Sequence, residues 1–412
     1  MHRGLLSLLG AAAAAATSLV GVVAGIVTAA PAAAATPDPG TFVSVTPVRA
    51  LDTRTTGGAL TTGQTRTLSL AARVPSATAT AVVLNLTVTE PSAAGYLTVY
   101  PTDRARPTAS SINKRAGETR SNSVTVALPG AGSRTIAIFN QVGSTHVVVD
   151  VLGYYDPAAL FSGSAFYTTP LTPFRVYDSR TFTSGLDAGE VGDVIIPTPA
   201  GLTGVTAVAV NVTAVAPGGP GYLTLWSGSG SRPLVSTVNY GYDAVTPNFA
   251  VVPVRHDDDG SYQLTLQNMV SPIGGAVVDV SGYYAAIDDG GAFYVPVTPT
   301  RLSDTRTVGG PVQGGTTREF AIGGLGASAR AVNLNVTTVD ATTPTFVTVF
   351  RPSGSVPFVS TLNPFTPAAV ANAAQPGLTS SGNGVWRYGV YNSQGAVQVV
   401  ADLQGYFTEV AL

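Results

Sequence analysis

Short runs rich in Val, Leu, Ile and Thr alternate along this chain with clusters of Gly, Pro, Asn and Asp. In its first third the runs are 67–70, 81–89, 96–100, 123–128, 135–139 and 146–151. Their β-branched content fits a half-buried pleated surface, and the clusters between them are turn-formers. The run Val82-Val-Leu-Asn-Leu-Thr-Val-Thr89 begins continuously apolar and then alternates, as in a central sandwich strand with one face fully buried. After the N-terminal segment, no stretch keeps helical apolar spacing for three turns. The pattern predicts an all-β protein.

The pattern also repeats. Pro47-Val-Arg49-Ala-Leu-Asp52-Thr-Arg54 returns as Pro173-Phe-Arg175-Val-Tyr-Asp178-Ser-Arg180 and as Pro299-Thr-Arg301-Leu-Ser-Asp304-Thr-Arg306. Four further landmarks follow in the same order. They are Asn-x-Thr at Asn85, Asn211 and Asn335; Gly95-Tyr-Leu-Thr-Val99 with Gly221-Tyr-Leu-Thr-Leu225 and Thr345-Phe-Val-Thr-Val349; Ser111-Ile-Asn113 with Thr237-Val-Asn239 and Thr361-Leu-Asn363; and a closing Asp150-Val-Leu-Gly153-Tyr-Tyr with Asp279-Val-Ser-Gly282-Tyr-Tyr and Asp402-Leu-Gln-Gly405-Tyr-Phe. Solenoid and propeller units run about 20 to 50 residues. Units of about 120 residues can bury a core of their own. The expectation is three tandem β-sandwich modules, 41–156, 165–286 and 292–408, in a row, each with about seven to nine strands in a jelly-roll or Greek-key-like order.

The N-terminus changes the picture. Met1-His2-Arg3 precedes an Ala-rich apolar run that ends in Ala-Pro-Ala-Ala-Ala-Ala, and Ala33 and Ala35 suit a signal-peptidase site. Residues 1–35 are read as a signal peptide, with an uncleaved anchor as the rival, and the mature chain as secreted or cell-surface associated. No later run is long and apolar enough to span a bilayer, so no membrane partner is expected after cleavage. The formal net charge is −2, and Lys114 is the only Lys. Without a basic stripe, nucleic acid is not an expected partner. The chain has no Cys, which removes thiol nucleophiles and thiolate metal sites.

The Arg-x-x-Asp-Thr/Ser-Arg motif is the sharpest candidate chemistry. Strand alternation would put Arg49 and Asp52 on opposite faces, and Asp52 and Arg54 on the same one. The set Arg49, Asp52, Arg54, Arg175, Asp178, Arg180, Arg301, Asp304 and Arg306 could clamp a carboxylate or sugar acid. An internal ion pair pinning the N-terminal strand is the favoured reading. Asn is poor in strand interiors. Asn85, Asn211 and Asn335 therefore imply a specific role, with a satisfied hydrogen-bond network preferred to sugar binding. His146 and His256 alone cannot assemble a catalytic zinc site. His256-Asp-Asp-Asp-Gly260 could hold calcium through Asp257–Asp259, but its Asp-Gly ending is more simply a hairpin turn. No cofactor or metal is expected otherwise. Trp226, Trp386, Tyr96 and Tyr222 are the weak candidates for ligand contact, because aromatic faces stack on sugars; in sandwiches most such residues are core.

Taken together, the five landmarks resemble a repeat module of secreted actinobacterial proteins, often found beside peptidoglycan amidases and other cell-wall-acting domains. The resemblance covers essentially the whole mature chain. It implies an extracellular, cell-wall-related setting. Amidase activity is not carried over, since only modules are present. The expected function is non-catalytic binding of cell-wall or extracellular polysaccharide. The alternatives are a hydrolase with an unrecognised carboxylate pair, or a purely structural surface protein. The recurrence of the acids in every copy suits scaffold better than a single active site.

Overall fold

A computed structural model describes residues 38–130, 132–160, 162–168, 172–182, 185–242, 245–288, 290–365 and 368–410. The expected signal peptide, 1–35, lies outside them. Among the described residues there is no α-helix, and the protein is built from antiparallel β-sheets.

The first copy contains eight strands: β1 (Thr41–Asp52), β2 (Thr65–Ser69), β3 (Ala81–Thr89), β4 (Gly95–Pro101), β5 (Ile112–Lys114), β6 (Arg120–Ala127), β7 (Thr135–Asn140) and β8 (His146–Asp156). They form two four-stranded sheets with orders β1-β8-β3-β6 and β2-β7-β4-β5. Successive strands alternate between the two sheets except β4 and β5, which pair with each other; these two strand orders are those of a jelly roll. Copy two repeats both sheets and copy three repeats them except for β5, whose place is taken by an isolated bridge between Val347 and Leu362; short additional strands lie at 165–167, 255–256, 312–313 and 379–380. Copy two thereby reaches ten described strands, above the seven to nine expected.

Each copy has its own apolar core. In the first, Val82, Leu84, Leu86 and Val88 point inward from β3 and meet Leu97, Val99, Ile136 and Ile138 of the facing sheet. The opposite face of the same strand is buried too, because every residue of β3 is buried. Ala81 and Val83 face a fourth apolar cluster, shared by all three copies. Copy one contributes Phe42 and Tyr155, copy two Phe166, Phe249 and Tyr284, and copy three Tyr294 and Phe407. Their rings lie together, with Tyr155 stacked on Tyr294 at 4.1 Å and Phe166 against Phe407 at 4.2 Å.

The copies therefore do not stand in a row. They close around a common axis, each turning its Arg/Asp-bearing sheet inward. Three pairs of reciprocal backbone hydrogen bonds complete the closure. They link Gly40 with Tyr294 (2.9 and 2.9 Å), Phe42 with Ser164 (2.8 and 2.8 Å) and Phe166 with Ala292 (2.8 and 3.0 Å). The closing glycines fit this packing. A Cβ on Gly153, Gly282 or Gly405 would run into the ring of Phe42, Phe166 or Tyr294 respectively.

Candidate functional site

The Arg/Asp motif sits where β1 pairs with β8. Arg49 Nε donates to Asp150 Oδ1 at 2.6 Å, and Arg49 Nη1 to Asp52 Oδ2 at 3.2 Å. Arg54 clasps the same Asp52 with two bonds, of 2.9 and 2.6 Å. The order Arg54–Asp52–Arg49–Asp150 recurs as Arg180–Asp178–Arg175–Asp279 and Arg306–Asp304–Arg301–Asp402. The expectation that Arg49 and Asp52 lie on opposite faces is corrected here. Strand register slips between Arg49 and Leu51, and likewise between Arg175 and Tyr177 and between Arg301 and Ser303. Such a bulge re-aims the next side chain, so the Asp comes round to the Arg.

Environment splits the two carboxylates of each set. Hydrogen bonds from Arg54 hold Asp52 down at about 2, and the Arg180 and Arg306 guanidinium groups lower Asp178 and Asp304. Burial pushes Asp150, Asp279 and Asp402 above the ordinary carboxylate range, against the pull of their Arg partners. Two acids with separated pKa values are an acid–base pattern. Here the raised member is inaccessible: the Asp150 side chain is 0 % exposed beneath Arg49.

The Asn residues build a second network, between copies. Asn85 Nδ2 donates to Ser236 O, Asn211 Nδ2 to Ser360 O and Asn335 Nδ2 to Ser110 O, at 2.6, 2.6 and 2.7 Å. Their side-chain oxygens accept from a second set of strand Asn residues. Asn248 donates to Asn85 (2.9 Å), Asn372 to Asn211 (2.8 Å) and Asn122 to Asn335 (2.8 Å). Copy two thus reaches copy one, copy three reaches copy two, and copy one reaches copy three, closing a circle. All six Asn side chains are buried. The Asn-x-Thr triplets are strand interior.

The aromatic candidates fare differently. Trp226 and Trp386 are only 8 % and 7 % exposed, so neither presents an open face for stacking. Trp386 belongs to the core of copy three, and its Nε1 donates to Gly326 O at 2.9 Å. Tyr96 and Tyr222 are half-buried near the starts of equivalent strands, opposite Asn113 and Asn239. Tyr155 and Tyr284 exchange a hydroxyl hydrogen bond of 2.7 Å in the shared core. His146 Nδ1 lies 3.1 Å from Thr53 Oγ1, while His256 packs on Tyr262. Residues 257–260 form the turn between paired strands 255–256 and 262–268. Within it Asp257 is bound to Arg255 at 2.5 Å and Asp259 accepts from Ser261 N, so two of the carboxylates considered for calcium have protein partners.

No family model matches this chain, and no curated protein matches it. Solved structures that match include the atomic structure of Sulfolobus turreted icosahedral virus, at 9% identity over 90% of this chain and 92% of that one, with a TM-score of 0.19. The triple jelly roll described for turret assembly in an archaeal virus matches at 9% identity over 90% of each chain, with a TM-score of 0.18. The major capsid protein P2 of bacteriophage PM2 matches at 11% identity over 60% of this chain and 98% of that one, with a TM-score of 0.17. At these scores the likeness carries no argument about function.

Proposed function

We propose that this chain is a non-catalytic, secreted or surface-bound protein that binds cell-wall or extracellular polysaccharide as one preassembled three-module ring. The observation that carries this reading is the engagement of the recurring acids. Asp52, Asp150 and their equivalents are all held by guanidinium groups inside the fold. A glycosidase needs two carboxylates facing one cleft, and these face Arg. The ring also supports avidity. It holds three repeated copies together, and on a polymer with repeating epitopes the first contact raises the effective concentration for the next two.

The purely structural reading draws support from the Asn circle, because it commits repeated polar residues to contacts between copies. One experiment separates the readings. The full chain is incubated with purified insoluble cell wall and a panel of insoluble polysaccharides, and both retained protein and released reducing sugar or free amine are measured. Retention without release supports binding. No retention on any polymer favours the structural reading. Release that survives repurification and disappears when one acidic residue is changed returns the chain to the hydrolases.

A further inference from the structure

The threefold repeat makes its exceptions conspicuous. At one cleft, copy three departs from the other two at four positions that meet in space. Arg330 stands where the other copies have Thr80 and Thr206; Arg351 where they have Pro101 and Ser227; Trp386 where they have Arg134 and Tyr262; and Glu409 where they have Pro157 and Ala286. These four, with Ser380 and with Tyr167 of copy two, line a cleft of about 520 Å³ between the second and third copies. That volume falls in the range of small-ligand sites, about 300–1,000 Å³.

The charges in the cleft do not cancel. Arg330 is held by both carboxylate oxygens of Glu409, with its Nε donating at 2.6 Å. Arg351 has no carboxylate partner among the described residues, and its Nε is buried without a hydrogen-bond partner. A buried donor left unsatisfied is costly and is expected to find a partner. A guanidinium fork matches a planar carboxylate, which can accept two of its hydrogens. Ser380, Tyr167 and Trp386 add a hydroxyl and aromatic carbon to the lining, the mixture a sugar ring requires.

We propose that this cleft is a single, copy-three-specific site for a carboxylate-bearing sugar, with Arg351 as the carboxylate anchor. It rests on the binding reading above for its glycan setting. The tests are nonetheless distinct, because failure with a soluble uronate leaves retention on neutral polymers untouched.

The experiment is titration calorimetry of the full chain with trigalacturonate, with a neutral galactose trimer and inorganic phosphate as controls. Trigalacturonate should bind at least ten-fold more tightly than the neutral trimer. Arg351→Gln should remove at least ten-fold of that affinity without shifting the melting temperature appreciably. Glu409→Gln gives a readout of opposite sign, since it frees Arg330 and should tighten uronate binding; it also serves if Arg351→Gln fails to fold. Equal binding by Arg351→Gln and the unaltered chain, equal binding of acidic and neutral trimers, or no uronate binding at all overturns the proposal. Phosphate that displaces the trimer at matched concentration overturns the sugar assignment.

Discussion

Removing one amide from the Asn circle should loosen all three copies, and the cost should depend on which amide is removed. Asn122, Asn248 and Asn372 occupy equivalent positions but make unequal bonds. Asn122 donates to Ser111 O (2.7 Å) and Asn335 Oδ1 (2.8 Å), and accepts from Ala373 N (3.1 Å). Asn372 likewise makes three bonds, to Thr361 O, Asn211 Oδ1 and from Phe249 N. Asn248 donates twice, to Thr237 O and Asn85 Oδ1, but its own Oδ1 is buried without a partner. Each buried group orphaned by truncation costs about 1–3 kcal/mol. At the low end Asn122→Ala and Asn372→Ala should each cost about 3 kcal/mol. Asn248→Ala orphans two groups and removes one existing orphan, so it should cost about 1 kcal/mol. Scanning calorimetry and denaturant melts of the full-length variants provide the ranking. They also test closure: with a shared core the chain should unfold in one transition that moves as a whole. Asn248→Ala proving at least as destabilising as Asn122→Ala would refute the bond accounting. Three separable transitions, only one of them shifted by Asn122→Ala, would refute the closed ring.

Within the Arg/Asp sets the deeper acid should matter more. Asp52→Ala leaves Arg49 still bound to Asp150 and leaves Arg54 47 % exposed in its side chain, so its denaturant-measured cost should be about 1 kcal/mol. Asp150→Ala removes the fully buried acceptor of Arg49 Nε but leaves Arg49 33 % exposed and bound to Asp52, so its cost should be about 2 kcal/mol, that of a lost charge-assisted hydrogen bond. Gly153→Ala should destabilise by about 1–3 kcal/mol through overpacking against Phe42, read as a lowered melting temperature. Acid titration follows from the lowered carboxylates. Asp52 titrates at about 2 in the fold against 3.8 as its ordinary value. Its contribution is therefore present above about pH 4 and lost as pH falls towards 2, with Asp178 and Asp304 acting in the same direction. Replacing all three by Asn should flatten that acid limb in melts run between pH 5 and 2; an unchanged limb would show that they do not carry it.

The local architecture was legible because the physics behind it is local. Alternating β-branched runs and turn residues located β3 with both ends correct, and located the other strands of copy one to within a few residues, save the short β5 and the long β1. The landmarks gave the threefold repeat. The closure of the ring was not legible, because its contacts pair residues far apart in sequence. Asn122 meets Asn335 across 213 positions, and Asn248 meets Asn85 across 163. Two signals nevertheless pointed to it. The first was Asn in strand interiors, where an amide must find a partner. The second was the unbroken apolar run at the start of β3, which is what a strand buried on both faces looks like. A strand with one face fully buried accounts for Val82, Leu84, Leu86 and Val88; Ala81 and Val83, on the other face, meet the shared core.

The bulge that brings Arg49 to Asp52 was hidden for a different reason. Alternation assumes one residue per step on both strands, and the slip opposite Asp150 and Val149 breaks that count. The same slip in all three copies makes it part of the module's design, since bulges re-aim side chains. Its consequence reaches function. Because the bulge folds the motif's acid back onto its own arginines, the most conspicuous repeated charges are committed to holding the first strand of each copy in its sheet. On the proposed binding function, selectivity would fall to residues outside these sets, and Arg330, Arg351, Trp386 and Glu409 break the repeat around a single cleft.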